Sequence, residues 1–549
     1  MTASTPKRTH ARRHHALLAA ALLLASPRAE AAPSSSPNAS NTAALADFDA
    51  HLAGWDVQRA RVALERVPAG AERQIKEGIL AVYEADYARA EDLLTRALAI
   101  GTVEETAPLA LEARHYLALA RGSQRALAQA ITLRSPDQTV EVAFADAKDT
   151  LLAPYLFTAL AAARSALAID LGVTPDHPVR IEILDDPAKL ALVTPLTLDN
   201  IYTTGTIGIT KYRRIVMTSP RVLLYGYPWL DTAVHEYVHY LLTLRTHNLA
   251  PVWLQEGLAK LLETRWRSDA AADLDAASQR LLHRALERDD LVTLAEMSPS
   301  VAMLPSQERA ALAYAEVQTM LAFLRERRGS AGLAALLDRV AAGEPAEDAL
   351  ARAWGDTFAA FLDAWATDTR RRTSGASRSN ATIRERRFRD PDDTTADPSL
   401  LGDIFSHLGG GRARQHARLG VLLTLRGHPR AAVAEYEKAR RADPRARDDP
   451  RLARRLGELY LDLDDPSRAV PLLALAAADD PEQPGIAAAE GRARLRVGDR
   501  EGARAALERA LRVNPFIPSV HCDLAELATG EAEASRERAL CDERDDTAR

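Results

Sequence analysis

Two histidines four positions apart, His235 and His239, are the residues of this sequence best suited to hold a metal ion. They lie in the segment from Trp229 to Leu244, which has the composition of an amphipathic helix. Four positions are about one helical turn, so both imidazoles project from one face and can reach one ion. Glu236, beside them, can accept a proton from a water molecule bound to that ion. The pattern predicts a site that binds Zn2+ and activates water.

A second motif offers a third ligand. Glu256 follows His239 by seventeen positions, within the stretch Pro251 to Ala259. The apolar residues around Glu256 place it on the opening turns of a second helix, and a carboxylate there leaves the fourth zinc position for water. Glu263 is expected to lie on another helical face, so that its replacement should leave zinc binding unchanged.

A competing set of metal ligands, that of the metzincins, is excluded by the residues at the required positions. It requires a glycine three positions and a histidine six positions after the second histidine. Those positions hold Leu242 and Arg245. His247 is therefore expected to be a loop histidine and not a ligand.

A small β-sheet is predicted ahead of the two-histidine helix. Residues 179–184 alternate in the manner of a half-buried strand, and residues 214–218 form a second run of strand length. Hydrophobic residues make up 47% of the chain and aromatic residues only 5%, a balance reached with alanine and leucine. This composition favours helix packing, so the predicted fold class is mainly α with a small sheet.

Residues 150–370 resemble the gluzincin zinc metallopeptidases, specifically the bacterial peptidase MA-like domains found beside tetratricopeptide repeats. The resemblance rests on the His-Glu-Tyr-Val-His segment together with the Trp-Leu-Gln-Glu-Gly-Leu-Ala segment. It implies a helical fold with a small sheet, in which His235, His239 and Glu256 bind zinc. It also implies that Glu236 is the general base and general acid of peptide hydrolysis.

The resemblance does not decide which residue stabilises the oxyanion or whether the domain is catalytically active. Gluzincins usually offer a tyrosine or a histidine to stabilise the oxyanion, and Tyr314 is the candidate, with core packing as the alternative. The implied function is zinc-dependent hydrolysis of peptide bonds, with repeats that recruit a protein substrate or partner. One alternative is a cell-envelope scaffold whose metallopeptidase-like domain is catalytically silent. Another is a repeat solenoid that carries the metal motif by chance.

Three segments of the C-terminal region carry the same residue types at the same offsets. Each glycine is followed by alanine 12 positions on, a large residue at 16, alanine at 19 and proline at 24, and successive glycines are 37 and 34 positions apart. The sets are Gly420, Ala432, Tyr436, Ala439 and Pro444; Gly457, Ala469, Leu473, Ala476 and Pro481; Gly491, Ala503, Leu507, Ala510 and Pro515. Small residues let two helices meet and proline ends the second one, as in tetratricopeptide repeats.

The domain prediction follows from these patterns. Residues 411–549 are predicted to be a tetratricopeptide repeat domain and residues 150–370 the metallopeptidase domain. Residues 41–140 are predicted to be repeat-like, on the weaker evidence of one unit from Gly78 to Ala97. Residues 371–410 lack apolar periodicity and are predicted to be a solvated linker.

The N-terminus is typical of an export signal. Basic residues precede an apolar run from Ala16 to Ala25, and a small-residue cleavage site follows at Ala29 to Ala31. Residues 1–32 are therefore predicted to be a signal peptide, and the mature protein is expected in the periplasm or outside the cell. No later apolar stretch is expected to be long enough to span a bilayer.

Charge and cysteine content concern partners and covalent links. The 70 lysine and arginine residues against 76 aspartate and glutamate residues give a net charge of −6, which offers no reason to expect nucleic acid as a partner. Cys522 and Cys541 follow the last repeat on neighbouring predicted helices, and export would favour a disulfide between them. Two unpaired thiols are the alternative.

Overall fold

The computed structural model describes residues 37–99, 107–270, 273–375, 383, 385–389, 405–408 and 411–542. The signal peptide predicted for residues 1–32 lies outside this set. Within it the chain is mainly helical with one five-stranded sheet, which confirms the predicted fold class. A first helical array is followed along the chain by a domain that contains the sheet, and then by a second helical array.

The first array consists of helix pairs. Its helices are α1 (Pro37–Ala53), α2 (Val57–Glu65), α3 (Ala71–Tyr83), α4 (Tyr87–Ala99) and α5 (Pro108–Ala126). Helices α3 and α4 are the unit seen in the sequence. Gly78 lies so close to α4 that an added Cβ would stand 2.6 Å from Leu94, and Ala90 and Ala97 are buried in the same pair. Small residues therefore allow this helix contact.

The sheet has the strand order β1-β2-β3-β5-β4. Its strands are β1 (Ile131–Arg134), β2 (Val140–Phe144), β3 (Val179–Leu184), β4 (Gly208–Lys211) and β5 (Arg214–Thr218). Strands β2, β3 and β5 are parallel, whereas β1 and β4 pair antiparallel at the two edges. The two strands predicted from the sequence are β3 and β5, whose residues are nearly all buried. Central parallel strands give the clearest apolar runs because both faces are covered.

Helices of the middle domain pack on this sheet. They are α6 (Ala153–Leu171), α7 (Pro187–Val193), α8 (Leu198–Thr204), α9 (Trp229–Thr246), α10 (Val252–Leu262), α11 (Ala276–Arg288), α12 (Gln307–Ala341), α13 (Ala346–Trp354) and α14 (Phe358–Thr373). The core between them includes Trp229, Trp253, Leu321 and Trp365, each at most 2% exposed. Helix α12 contains a break at Gly329, where φ is 68°.

One helical stretch among the described residues, Ala147–Leu171, is long and apolar enough to cross a membrane by length and composition. The prediction that no later stretch reaches that length is therefore wrong. The stretch is apolar because it packs in the core of the middle domain, to which Leu156, Leu160, Ala163 and Leu167 belong. A buried core helix meets the same length and composition criterion as a membrane span.

The second array repeats one helix contact three times. Its helices are α15 (Arg412–Leu425), α16 (Pro429–Ala442), α17 (Pro444–Arg447), α18 (Pro450–Asp462), α19 (Pro466–Asp479), α20 (Pro484–Arg496), α21 (Arg500–Val513), α22 (Pro518–Leu527) and α23 (Glu531–Asp542). A Cβ added at Gly420, Gly457 or Gly491 would stand 2.5 to 2.8 Å from the side chain 16 positions later. The repeated glycines mark where each helix pair crosses. Cys522 and Cys541 form a disulfide between α22 and α23, as predicted.

Part of the predicted linker is bound to the middle domain. Helix α14 continues to Thr373, beyond the proposed start of the linker. Residues 385–389 lie along the chain that follows β5, where Phe388 forms a bridge with Leu223. The ring of Phe388 also packs edge-on against Tyr202 at 5.0 Å. These residues are therefore not a solvated tether, because one aromatic side chain in an otherwise polar segment anchors them.

Both arrays contact helix α9. Trp55 of the first array lies with its ring centre 5.1 Å from that of Tyr240. At the opposite end of the helix, the indole N–H of Trp229 donates a 3.0 Å hydrogen bond to the carbonyl of Leu511 in α21. The helix that carries the two histidines thus contacts both arrays.

Candidate metal centre and catalytic site

Helix α9 is fixed by burial of most of its side chains. Asp231 stands in its first turn, where a carboxylate interacts favourably with the helix dipole. His235 is only 8% exposed, although it is polar. The helix ends at His247, whose φ of 51° is left-handed, and His247 lies against Gly54 of the first array. His247 is not part of the cluster that His235 forms.

Gly257 lets helix α10 pack closely against α12, and this packing fixes the position of Glu256 beside it. A Cβ added at Gly257 would stand 2.7 Å from both the carbonyl oxygen of Val317 and a methyl group of Leu321. Backbone contact at Gly257 sets the spacing of α10 and α12. Glu256 is the neighbouring residue and faces α9.

Three side-chain atoms converge between the two helices. Nε2 of His235 lies 3.2 Å from Nε2 of His239, and Oε2 of Glu256 lies 3.3 Å from each nitrogen. The corners of this triangle are each about 1.9 Å from its centre, close to zinc–ligand distances of about 2.0 to 2.2 Å. Oε2 of Glu256 is buried without a hydrogen-bond partner in the described chain. The donor set therefore fits a zinc ion bound by two imidazoles and one carboxylate.

Glu263 contradicts the expectation that it lies away from the site. Its Oε2 stands 3.1 Å from Nδ1 of His235, and its Oε1 accepts a 2.6 Å hydrogen bond from Lys260. Seven positions are about two helical turns, so Glu263 returns to the face of Glu256. That spacing is the signal in the sequence that could have identified it. Carboxylates in this position orient the imidazole of a metal ligand.

Glu236 lies beside the cluster and is held by strand β4. The hydroxyl of Thr210 lies 2.7 Å from Oε2 of Glu236 and 2.8 Å from its main-chain oxygen. A Cβ added at Gly208 would stand 2.9 Å from Oε1 of Glu236, so β4 passes directly over the carboxylate. Neither residue of β4 was identified from the sequence, because strand β4 is short and only half-buried.

The ionisation of the site reflects burial and opposite charge. Burial raises the pKa of the Glu236 carboxyl, and the two histidines only partly oppose that rise. Burial alone would raise the pKa of the Glu256 carboxyl. His239 and His235 outweigh burial and hold that pKa well below its usual value. Burial would lower the pKa of His235, yet contacts with Glu256 and Glu263 raise it to about 9. The cluster therefore pairs positive and negative groups, whereas Glu236 is biased towards holding a proton.

Tyr314 lies next to the cluster and not in a remote part of the core. Its ring centre is 6.2 Å from that of His235, in an edge-on arrangement. Burial raises the pKa of Tyr314 well above its usual value, and the charge of Glu256 adds to the rise. The phenol therefore keeps its proton at neutral pH and is able to donate it in a hydrogen bond.

The residues so described define a mainly helical domain with a small sheet and a His-His-Glu cluster, set between arrays of helix pairs. Residues 159–370 match the model of the Peptidase MA superfamily. This part of the chain is therefore similar to the Peptidase MA superfamily. The matched segment contains β3 to β5 and the helices α9 and α10 that carry the cluster.

Comparisons of the whole chain with curated proteins and with solved structures are less informative than the family match. No curated protein matches it. A crystal structure of MamA is 21% identical, with a TM-score of 0.20, and the match covers 22% of this chain and 69% of that one. The crystal structure of the APC/C hetero-tetramer Cut9-Hcn1 is 12% identical, with a TM-score of 0.21, and the match covers 92% and 95% of the two chains. Neither likeness bears on the function of this chain.

Proposed function

We propose that this chain is a zinc-dependent metallopeptidase that hydrolyses peptide bonds, with Glu236 as general base. The observation that carries the proposal is the triangle formed by His235, His239 and Glu256, with side-chain atoms 3.2 to 3.3 Å apart and Glu236 beside it. The Peptidase MA superfamily match over the same residues supports it.

Zinc held by His235, His239 and Glu256 would lower the pKa of a bound water and polarise a peptide carbonyl. Glu236 then has two tasks, to accept a proton during attack and to return it to the leaving amine. Burial raises the pKa of Glu236, which favours uptake of the proton that the carboxyl must later return. Thr210 holds the carboxylate in place.

Tyr314 is assigned to the oxyanion. Its ring lies beside His235, and its hydroxyl keeps its proton because burial raises its pKa. A donor next to the metal ligands is suited to stabilise negative charge on the carbonyl oxygen in the transition state. A role in substrate contact alone would leave kcat unchanged in Tyr314→Phe.

Strand β4 is proposed to hold the substrate. It is an edge strand, paired with β5 on one side only among the described strands, and it passes over Glu236. An extended peptide can add to such an edge through main-chain hydrogen bonds, which places its backbone beside the carboxylate. Antiparallel addition continues the pattern of the β4 and β5 pair.

The two helical arrays suggest a protein partner, and the N-terminus suggests a location for the chain. Tetratricopeptide-type helix pairs stack into extended surfaces that bind proteins, so the repeats are assigned the recruitment of a substrate or partner protein. The signal peptide proposed for residues 1–32 would deliver the chain to the periplasm or outside the cell. The alternative is a scaffold whose metallopeptidase-like domain is catalytically silent.

Two variants test the assignment. Glu236→Gln should keep zinc and abolish peptide hydrolysis, because the amide cannot accept the proton. Glu256→Ala should lose zinc at limiting metal, whereas Glu287→Ala, which alters an exposed residue of α11, should keep both zinc and activity. Zinc is measured by elemental analysis and hydrolysis by mass spectrometry of a peptide library. Wild-type turnover in Glu236→Gln would remove Glu236 from its role, and a zinc-loaded wild type that cleaves no peptide would favour the scaffold.

A further inference from the structure

The segment 385–389 crosses the middle domain as a strap whose main chain is firmly held. The side-chain amide of Gln307, at the start of α12, clamps Arg386 from both sides. Its oxygen accepts a 2.7 Å hydrogen bond from the Arg386 N–H, and its nitrogen donates a 3.1 Å bond to the Arg386 carbonyl. The main chain also pairs with the residues that follow β5, since Leu224 N–H donates to the Arg387 carbonyl at 2.8 Å.

The strap sets Arg386 beside Gly205, three positions before strand β4. Nη1 of Arg386 donates a 3.2 Å hydrogen bond to the Gly205 carbonyl. A Cβ added at Gly205, where φ is 66°, would stand 2.8 Å from Oε1 of Gln307 and 3.1 Å from Cβ of Arg386. Glycine is thus required for the strap to lie this close. The strap is anchored by its main chain and by Phe388, so the guanidinium is not needed to attach it.

The direction of β4 decides which part of a substrate meets Arg386. A peptide that adds antiparallel to β4 runs with its carboxyl end towards the amino end of the strand. Glu236 lies against Gly208, so the cleaved bond sits near that residue, and the product half with the carboxyl end continues towards Gly205 and Arg386. Three extended residues span about 10 Å, so the cation lies about two to three residues beyond the cleaved bond.

The charge of Arg386 reaches the site. It opposes the rise in the pKa of Tyr314 that burial and Glu256 cause, and it acts on buried Tyr227 in the same way. The Arg386 side chain is exposed, as a group that meets an incoming ligand must be. A guanidinium has five N–H donors, so one bond to a carbonyl leaves it able to hold a carboxylate as well.

We propose that Arg386 is a specificity-determining residue that binds a carboxylate of the substrate on the carboxyl side of the cleaved bond. The inference rests on the proposed peptidase function. It narrows the substrate class to peptides that present a negative carboxylate about two to three residues after that bond. The carboxylate is either the free C-terminus of a short peptide or the side chain of aspartate or glutamate.

The test measures binding separately from cleavage. Labelled random hexapeptides are made in three pools: free C-terminal acids, C-terminal amides, and amides with glutamate at each of the last three positions. Binding to full-length, zinc-loaded Glu236→Gln protein is followed by fluorescence anisotropy, and cleavage by wild type is followed by mass spectrometry. The free-acid pool should bind about tenfold more tightly than the plain amides if a charged hydrogen bond is formed. Tight binding of the glutamate pool would identify side-chain carboxylates as the second source.

The same comparison is repeated with added substitutions. Arg386→Gln should remove the preference, Arg386→Lys should keep part of it through its charge, and Arg387→Gln, the neighbouring exposed arginine, should keep all of it. Pools that bind the parent protein equally well or not at all overturn the inference, and so does a preference that survives Arg386→Gln. A preference that depends on Arg386, without cleavage of any pool by wild type, supports carboxylate binding by Arg386 and overturns the peptidase function instead.

Discussion

Nδ1 of His235 and Oε2 of Glu263 lie 3.1 Å apart, on the side of the imidazole opposite the cluster. Because Nδ1 is engaged there, Nε2 is the nitrogen that faces Glu256 and His239. The carboxylate thus selects which nitrogen binds a metal and fixes the plane of the ring. Lys260 holds the other oxygen of Glu263, so the carboxylate is itself fixed.

Replacement of Glu263 should weaken zinc binding without removing a ligand. Glu263→Ala frees the imidazole of His235 to rotate, and loss of such a partner typically costs about 10- to 100-fold in metal affinity. Competition with a chelator of known affinity measures the change. Glu287→Ala, on an exposed part of α11, is the control and should match wild type. Equal zinc affinity in Glu263→Ala and wild type would show that the 3.1 Å contact does not orient His235 for metal binding.

The sequence predicted the parts of this site that depend on one helix at a time. His235, Glu236 and His239 follow from spacing on α9, and Glu256 follows from its motif on α10. Glu263 was misassigned, although its seven-residue spacing from Glu256 corresponds to about two full turns of a helix. Thr210 could not be predicted, since its role depends on where the short edge strand β4 crosses α9 in three dimensions.

The hydroxyl of Thr210 should matter for turnover and not for zinc. Thr210→Val removes the hydrogen bond to Oε2 of Glu236 and keeps the shape of the side chain. A hydrogen bond to a charged group contributes about 1.5 to 3 kcal/mol, so kcat should fall about tenfold or more. Thr210→Ser retains the hydroxyl and should keep most of the activity. An unchanged kcat in Thr210→Val at equal zinc content would show that Glu236 is positioned by other contacts.

Contacts between domains were also beyond the sequence. The tetratricopeptide period predicted the second array, and Gly420, Gly457 and Gly491 predicted its helix crossings. Nothing in that period indicates that α21 docks on α9. The strap at residues 385–389 escaped notice for a similar reason, because a polar segment lacks periodicity whether it is solvated or bound.

Trp229 should couple the second array to helix α9. Trp229→Phe keeps a buried aromatic ring, although a smaller one, and removes the N–H that bonds to the Leu511 carbonyl, which then lacks this donor. Such a loss costs about 1 to 3 kcal/mol. Trp365→Phe is a matched control, since it removes a 3.1 Å indole bond to Thr319 inside the middle domain. Both variants should melt earlier, but only Trp229→Phe should speed hydrogen exchange in α21. Equal exchange in the two variants would mean that the array is held by other contacts.

Glu316 is a buried carboxyl with one clear partner. It is 3% exposed on α12, and its Oε1 accepts a 2.9 Å hydrogen bond from the main-chain N–H of Val292. Burial raises the pKa of Glu316 to about 8, although that bond and the charge of Arg309 oppose the rise. In the unfolded chain a glutamate has a pKa of about 4.3. Between these two values the folded protein holds a proton that the unfolded chain has lost.

Stability should therefore fall as pH rises from about 4.5 to about 8, because folding must retain or take up that proton. Glu316→Gln keeps an oxygen to accept the Val292 bond and has no charge to bury. Its melting temperature should resemble that of wild type at pH 5 and exceed it at pH 9. The corresponding difference in the free energy of unfolding at pH 9 should be at most about 5 kcal/mol. Differential scanning fluorimetry at both pH values measures the difference, with the exposed Glu287→Gln as the control that should show no trend. A difference between Glu316→Gln and wild type that does not grow from pH 5 to pH 9 would place the pKa of Glu316 near its ordinary value.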